Sequence, residues 1–407
     1  VFFQYLFLLY IFLTALNSDV VPRVESPIPL PDTTILKRDN QVYSEEELQQ
    51  LILDGQIFTF LAHADGELKS FALQERRLVL NSLFNVQMER EFQGVNIALL
   101  LPESIIGRYS SSITKAVIAY LSSKDEAFRV KSYFIENEDN QTLALVIEDI
   151  IRDGFRFVIA PMTERGVLNI EHLSPQLFVY FPTIHKDRVN SKSNFFYFGG
   201  INYKEQIKKL LSNFDGGQIS LFYDNSPKGK ELNQIVYNEL NNSFPDANIT
   251  VVRGVGRRDS DFSDLYKDNN DSNNSSFFIN TTKVKSSILL SQLTVYEQNP
   301  KLIMSTQINY TPILLSMTQP KDREKVLIAN SISNGDKRIA DINYLLNNDI
   351  VYDWINYSTT VGIDYFYHLI TGKNRVYTEQ IVDNQVIYKI HLMRSLEGKF
   401  LEVEAMN

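Results

Sequence analysis

A chain of 407 residues that is 44% hydrophobic and 22% charged exceeds one ordinary core and is too apolar for disorder, so two or three globular lobes are expected. Its 40 Lys and Arg against 49 Asp and Glu leave a net charge of −9, which argues against a broad electrostatic footprint for nucleic acid or anionic lipid. Without cysteine there is no disulfide framework, thiolate nucleophile or Cys-ligated metal. The histidines (His63, His172, His185, His368, His391) form no H-x-x-x-H or H-E-x-x-H, so neither a metal site nor a cofactor is expected.

Residues Val1 to Leu16 are apolar or aromatic except Gln4 and Thr14, and the first charge is Asp19. The run is shorter than the ~20 residues of a full span and suits the apolar region of an export signal, with a retained anchor or a buried helix as alternatives. A basic leading region is missing, and Thr14, Ala15 and Ser18 make a poor cleavage site. Residues 1–18 are therefore assigned to a signal peptide or membrane anchor, and the remainder to the periplasm. Residues 19–43 hold Pro22, Pro27, Pro29 and Pro31, which favour an extended tether.

Ser44 followed by Glu47 is a capping box, with Leu48, Leu51 and Ile52 on one face of the helix it starts. A second helical pattern runs from Phe71 to Glu91, with Leu73, Val79, Leu80, Leu83 and Phe84 at a period near 3.6. Together they predict a small helical hairpin over 44–94, read as a packing lid or a separate binding module.

After Gly94, short apolar runs alternate with amphipathic helices, the pattern of buried parallel strands in βαβ units. Over 95–200 the strands are Asn96–Leu101, Arg129–Ile135, Phe155–Ala160, Leu177–Phe181 and Asn194–Phe198, with helices Tyr109–Ser122 and Gln141–Arg152. A second series over 201–325 has helices Tyr203–Asn213, Lys228–Asn242, Asp261–Asp268 and Val284–Glu297. Its strands are Gln218–Tyr223, Asn248–Arg253, Ser276–Asn280 and Leu302–Ser305. Residues 326–407 complete the two lobes through a strand Lys325–Asn330, a helix around Asp349–Ile370 and a hairpin with arms Glu379–Val382 and Val386–Met393. Asp268 to Ser276 reads as a solvated Asn/Asp/Ser loop without EF-hand spacing. Gly199-Gly200 is the expected hinge between lobes, since consecutive glycines tolerate unusual backbone angles.

The segments VNIALLLPES (Val95 to Ser104), SYFIENEDNQTLALVIEDIIRDGFRFVIAPMTERG (Ser132 to Gly166), ISLFYDNSPKGKELNQIVYNEL (Ile219 to Leu240) and DSDFSDL (Asp259 to Leu265) resemble, in order and spacing, the leucine/isoleucine/valine-binding-protein-like family. The resemblance implies an α/β, two-lobed type I periplasmic-binding-protein-like fold with parallel sheets and a cleft. A helical hairpin preceding such a pair of lobes is similar in architecture to outer-membrane activators of peptidoglycan synthases, the penicillin-binding-protein activators.

Loops at the carboxyl ends of parallel strands converge on a crevice, and two facing lobes make a cleft that can close. There a free amino acid needs donors for its carboxylate, for which Thr163 and Thr183 are candidates, and an acid for its ammonium, for which Glu164 and Asp224 are. Asn225, Thr281 and Gln307 complete the candidate set, and Arg165 adds a cation suited to an anionic ligand; ordinary capping or loop solvation is the alternative for each. Against the family's pattern, this chain places Ser226-Pro227 where an aromatic-Gly pair is usual, Ala160 where Gly is usual, and Ile105 and Ile106 where small residues are usual. A tight amino-acid pocket is therefore not expected.

Catalytic signatures are missing: Gly254-Val255-Gly256 lacks the third glycine of a dinucleotide loop, and neither a phosphate-binding loop nor G-x-S-x-G occurs. Asp149 and Asp153 read as a wet helix face, and the aromatic helix around Trp354 as core. The sequence thus points to a non-catalytic envelope module, with a protein partner ranked ahead of a small polar or anionic solute. Nucleic acid is excluded as a partner, and membrane contact is confined to the N-terminal segment.

Overall fold

The computed structural model describes residues 33, 35, 41–64, 68–86, 94–107, 109–262 and 274–403. The chain divides into two compact units, Val1–Gln93 and Gly94–Asn407.

Among its described residues the first unit has three helices, α1 (Glu45–Leu53), α2 (Ile57–His63) and α3 (Phe71–Leu83), around Leu48, Phe60, Leu61, Leu68, Leu73 and Leu80. The capping box forms as the sequence implies: Glu47 accepts from the Ser44 amide at 2.7 Å, and the Ser44 hydroxyl oxygen accepts from the Glu47 amide at 3.3 Å. In place of the expected hairpin the described residues form three helices; α2 is seven residues long and Gln56 gives it no side-chain cap, leaving no local signal. Helix α3 stops at Leu83, short of Glu91, as Asn85 turns left-handed at φ 48°. Leu73 and Leu80 face its core, whereas Val79 and Leu83, read as core-facing, are 55% and 62% exposed.

The second unit opens with β1 (Val95–Pro102), α4 (Glu103–Ile106), α5 (Tyr109–Ser122), β2 (Phe128–Ile135), α6 (Asn140–Arg152), β3 (Phe157–Ile159), α7 (Glu164–Leu173), β4 (Phe178–Phe181) and β5 (Phe196–Phe198). It continues with α8 (Tyr203–Leu211), β6 (Gln218–Asp224), α9 (Pro227–Ser243), β7 (Asn248–Val255), β8 (Ser275–Asn280), α10 (Lys283–Val295), β9 (Leu302–Ser305), α11 (Pro312–Met317) and β10 (Val326–Asn330). Helices α12 (Lys337–Leu345) and α13 (Trp354–Thr371) and strands β11 (Gln380–Val382), β12 (Gln385–Ile387), β13 (His391–Ser395) and β14 (Phe400–Glu402) follow. The expected helix Asp261–Asp268 and most of the Asp268–Ser276 loop lie outside the described residues.

These strands form two seven-stranded sheets, in the orders β11-β12-β5-β4-β3-β1-β2 and β14-β13-β10-β9-β8-β6-β7. Inner strand β1, buried at every position but Asn96, reads as a continuous apolar run, whereas edge strand β2 alternates along most of its length. The antiparallel pairings involve β11 to β14, where the chain returns to each sheet. One face of the first sheet is packed by a core including Leu143, Ile147, Val167 and Ile170 from α6 and α7, and one face of the second by Ile207, Leu210, Val236 and Leu240 from α8 and α9. A third core, running through α5, α10 and α13, spans both lobes.

The chain crosses between the sheets three times: at 199–202 after β5, at 331–336 after β10, and at 388–390 after β12. The last crossing corrects the expected hairpin arm Val386–Met393. Gln385 pairs with Phe198 of the first sheet, and His391 with Asn330 of the second, so one apolar run is two strands in different sheets. The helix expected from Asp349 starts at Trp354, because the Asp353 carboxylate caps it by accepting from the Ile355 and Asn356 amides at 3.0 and 3.2 Å. As expected, α13 is core: eleven of its residues, Asn356 to Phe366 and Tyr367 but not Tyr365, are buried.

Gly199 and Gly200 sit at the first crossing, for a different reason from the one the sequence suggested. Neither has positive φ; both are sites of close approach. A Cβ on Gly199 would lie 2.0 Å from the Tyr180 hydroxyl and 2.5 Å from Ser358 Oγ, and one on Gly200 2.1 Å from the Ile184 carbonyl carbon. The hydroxyls of Ser358 and Tyr388 donate to the Gly199 carbonyl at 2.9 and 3.1 Å, binding this crossing to α13 and to the third crossing. Gly199→Ala is expected to cost about 1–3 kcal/mol through overpacking, and Gly200→Ala more, since backbone yields less than a side chain. Urea midpoints of the two variants check the order.

Candidate functional site

Strand polarity places the loops after β2, β3 and β4 at one edge of the first sheet and those after β6, β8 and β9 at the corresponding edge of the second. The two edges meet through an ion network. Arg188, in the short 3-10 turn Lys186–Arg188 after β4, donates through Nε to Glu164 at the start of α7 and through Nη1 and Nη2 to Glu231 in the second turn of α9, the Nη2 bond being 3.2 Å. Burial holds the neighbouring His185 imidazole below its ordinary value.

The first-lobe candidates are engaged within the lobe. Thr163 caps α7, its Oγ1 accepting from the Gly166 amide at 3.3 Å, while its own amide donates to Glu138 Oε1 at 2.9 Å and its hydroxyl to Glu138 Oε2. Thr183 donates to the Met162 carbonyl at 2.8 Å. Glu164 is drawn to Arg188, while Arg165 is exposed. Ile105, beside the first cleft loop, is 46% exposed in the single turn α4.

The second-lobe candidates divide. Asp224 ends β6 and accepts from the Ser226 amide at 2.9 Å; Asn225 is exposed and donates its amide to the Val255 carbonyl at 3.0 Å. Ser226 then caps α9, with Pro227 at its first position, a local arrangement that the Ser-Pro pair itself specifies. Thr281 and Gln307 are buried in polar networks. Thr281 Oγ1 is 2.8 Å from Ser286 Oγ, to which Asn309 Nδ2 also donates. Gln307 takes the Ser331 amide on Oε1 at 2.6 Å and donates to Asn330 Oδ1 at 3.1 Å, while its amide donates to Gln206 Oε1.

The residues that organise this edge but escaped the sequence reading are Glu138, Arg188, Glu231, Gln206, Asn280 and Asn309. Glu138 lies 25 positions before Thr163, and Arg188 lies 43 before Glu231; no local spacing rule connects partners so far apart. Among the described residues no group of three or more His, Cys, Asp or Glu is arranged to hold a metal ion.

The two lobes and three crossings form the type I periplasmic-binding-protein fold. The chain is similar to a branched-chain amino acid ABC transporter protein from Rhodospirillum rubrum, at TM-score 0.61 and 10% identity over 76% of this chain and 100% of that one. It is also similar to the substrate-binding protein LivJ of Streptococcus pneumoniae in complex with isoleucine, at TM-score 0.56 and 9% identity over 76% and 99%. A branched-chain amino acid ABC transporter protein of Thermus thermophilus with bound valine matches at TM-score 0.56 and 14% identity over 77% and 96%. At these identities the likeness is one of fold. No family model and no curated protein sequence matches the chain.

Proposed function

We propose that the chain is a non-catalytic, exported binding module whose lobes close on a small polar solute and present it to another envelope protein. The observation that supports this most is the Arg188–Glu231 pair, which joins carboxyl-edge elements of the two lobes. The pair is partly exposed, so its free energy is small, about 0–1 kcal/mol, as suits a closure that must also open. The sequence ranking placed a protein partner ahead of a solute. The fold relatives that hold isoleucine and valine favour the reverse order. Within this reading Thr183, Asp224 and Asn225 remain ligand candidates on the crevice loops, and Thr281 and Gln307 stiffen the second-lobe edge. Residues Val1 to Leu16, which motivate export, lie outside the described residues, and none of the described helices is long and apolar enough to cross a membrane.

A second reading, an envelope-protein partner engaged by the helical unit, is favoured by the exposure of Leu53 (72%), Phe71 (77%) and Val79 (55%) beside or near a groove between α1 and α3.

A thermal-shift screen of the chain against neutral, cationic and anionic solutes tests the first reading. A solute at a hundredfold its Kd stabilises the folded form by about 2.7 kcal/mol. Arg188→Gln is expected to weaken that solute severalfold, since ~1 kcal/mol is roughly a fivefold change in affinity. If no solute shifts the melting temperature while Leu53 crosslinks to an envelope protein in cells, the function passes to the second reading.

A further inference from the structure

We infer that Glu138 sets the class of solute: by occupying the Thr163 donors at the N-terminus of α7 itself, it reserves the crevice for neutral or cationic polar solutes and excludes free carboxylates. The inference rests on the solute-binding reading above and narrows it.

Glu138 lies in the loop after β2, just before the Asp139 cap of α6, and is 4% exposed. Its carboxylate takes up both donors of Thr163, amide and hydroxyl, at the N-terminus of α7. Its carbonyl accepts from Asn169 Nδ2 one turn further along the helix, at 2.6 Å, so both ends of the residue are fixed. Gly166 makes the room: a Cβ there would lie 2.6 Å from Glu138 Cδ. Amides at the start of a helix, aided by its dipole, are what an incoming carboxylate would use. Here the Thr163 amide already holds one, and a second carboxylate alongside would meet a like charge in partly desolvated surroundings.

Thr183 and Arg188 are spent in the same way, on the Met162 carbonyl and on Glu164 and Glu231, whereas Arg165 is exposed. The second-lobe edge differs. Asn280 Nδ2 and Asn309 Oδ1, on residues each 2% exposed, are buried without a hydrogen-bond partner. In the first lobe Ser110 Oγ, in the first turn of α5, is likewise unpartnered and buried. A donor, an acceptor and a hydroxyl match uncharged polar groups, and buried polar atoms without partners are costly unless something satisfies them.

The test is titration of the full chain with valine and with acetate, read by melting temperature, in the wild type and in Glu138→Ala, Glu138→Gln and Glu138→Ser. The wild type and E138Q, which fill the position, are expected to give no shift with either probe; E138A is expected to gain both, binding valine at least tenfold more tightly than the wild type. E138S, which removes the charge and most of the side chain, carries the test if E138A does not fold, and an acetate response is expected there. Tight binding of valine by the wild type would overturn the role of Glu138 while leaving the solute-binding reading intact. An E138A, or failing it an E138S, that stays blind to acetate also overturns it. A wild type unresponsive to every solute in the screen, beside an E138A that takes acetate, removes the solute-binding reading and keeps the role of Glu138.

Discussion

Asp364→Ala is expected to lower the unfolding free energy by about 3–5 kcal/mol, because it strands a largely buried cation and orphans three other donors. Asp364 lies within α13 with a fully buried side chain. It accepts from the Tyr120 hydroxyl at 2.8 Å, Arg375 Nε at 3.1 Å, and the Val376 and Tyr377 amides at 2.8 and 3.2 Å. One carboxylate thus ties α5, α13 and the segment leading to β11 together. Arg375, whose side chain is 19% exposed, donates a further bond from Nη1 to the Glu379 carbonyl. The removal therefore leaves the guanidinium with that carbonyl and the Tyr365 ring, 5.6 Å from its centroid, in place of a carboxylate. The double variant Asp364→Leu/Arg375→Met is expected to regain part of the loss, since a buried pair is often replaced by apolar groups at little cost. Urea unfolding of the single and double variants measures both. A single variant within ~1 kcal/mol of the wild type would show that water reaches the site and that the carboxylate binds nothing firmly.

The second large effect is expected in alkali. Burial pushes the phenols of Tyr180, Tyr197, Tyr203 and Tyr310 up to about 12. Tyr120 and Tyr357 are raised as well, by burial first and then by the facing carboxylates of Asp364 and Glu379. In the unfolded chain a tyrosine loses its proton near pH 10. Below that pH both states hold it, and the contribution of these groups to stability is complete. Above it the unfolded state binds fewer protons, so stability falls with rising pH until the folded phenols ionise too. For the fully buried Tyr180 the slope approaches about 1.4 kcal/mol per pH unit, and the other buried tyrosines steepen it. A domain stable by ~5–15 kcal/mol is then expected to unfold cooperatively between pH 10 and 12. Phenolate absorbance should rise together with loss of circular dichroism. A gradual rise centred near pH 10 with the helical signal intact would mean that these rings are open to solvent in the folded protein.

The two experiments probe the same structural feature. The three crossings are packed with tyrosines: Tyr180 and Tyr388 reach Gly199 and Ser358, and Tyr357 stacks edge-on against Tyr377 with ring centroids 5.7 Å apart. The Tyr180 and Tyr388 hydroxyls satisfy the Ser358 and Gly199 carbonyls, which is why burial of these rings and the geometry of the first crossing are inseparable.

The sequence by itself determined the elements whose causes are local. The apolar run of β1, the Ser44–Glu47 capping box, the Asp139 cap of α6 with its 2.8 Å bond from the Thr142 amide, and the Ser226-Pro227 start of α9 are each legible within a few residues. Alternation of such runs with amphipathic helices was enough for the two-lobed α/β architecture, because parallel strands buried on both faces leave that periodicity and no other. What depended on partners far along the chain was decided by the tertiary structure alone. Val386 to Met393 reads as one strand, yet its two ends bond to different sheets, and the choice lies with the partner edges at Phe198 and Asn330. Gly199 and Gly200 suggested free backbone angles, but the reason for glycine is contact with Tyr180 and Ile184. Thr163 had the right chemistry for a ligand donor, and its donors went to Glu138 instead. A hydrogen bond between residues 25 positions apart carries no periodicity and no propensity, so only the fold that brings them together could decide whether a carboxylate site is open or filled.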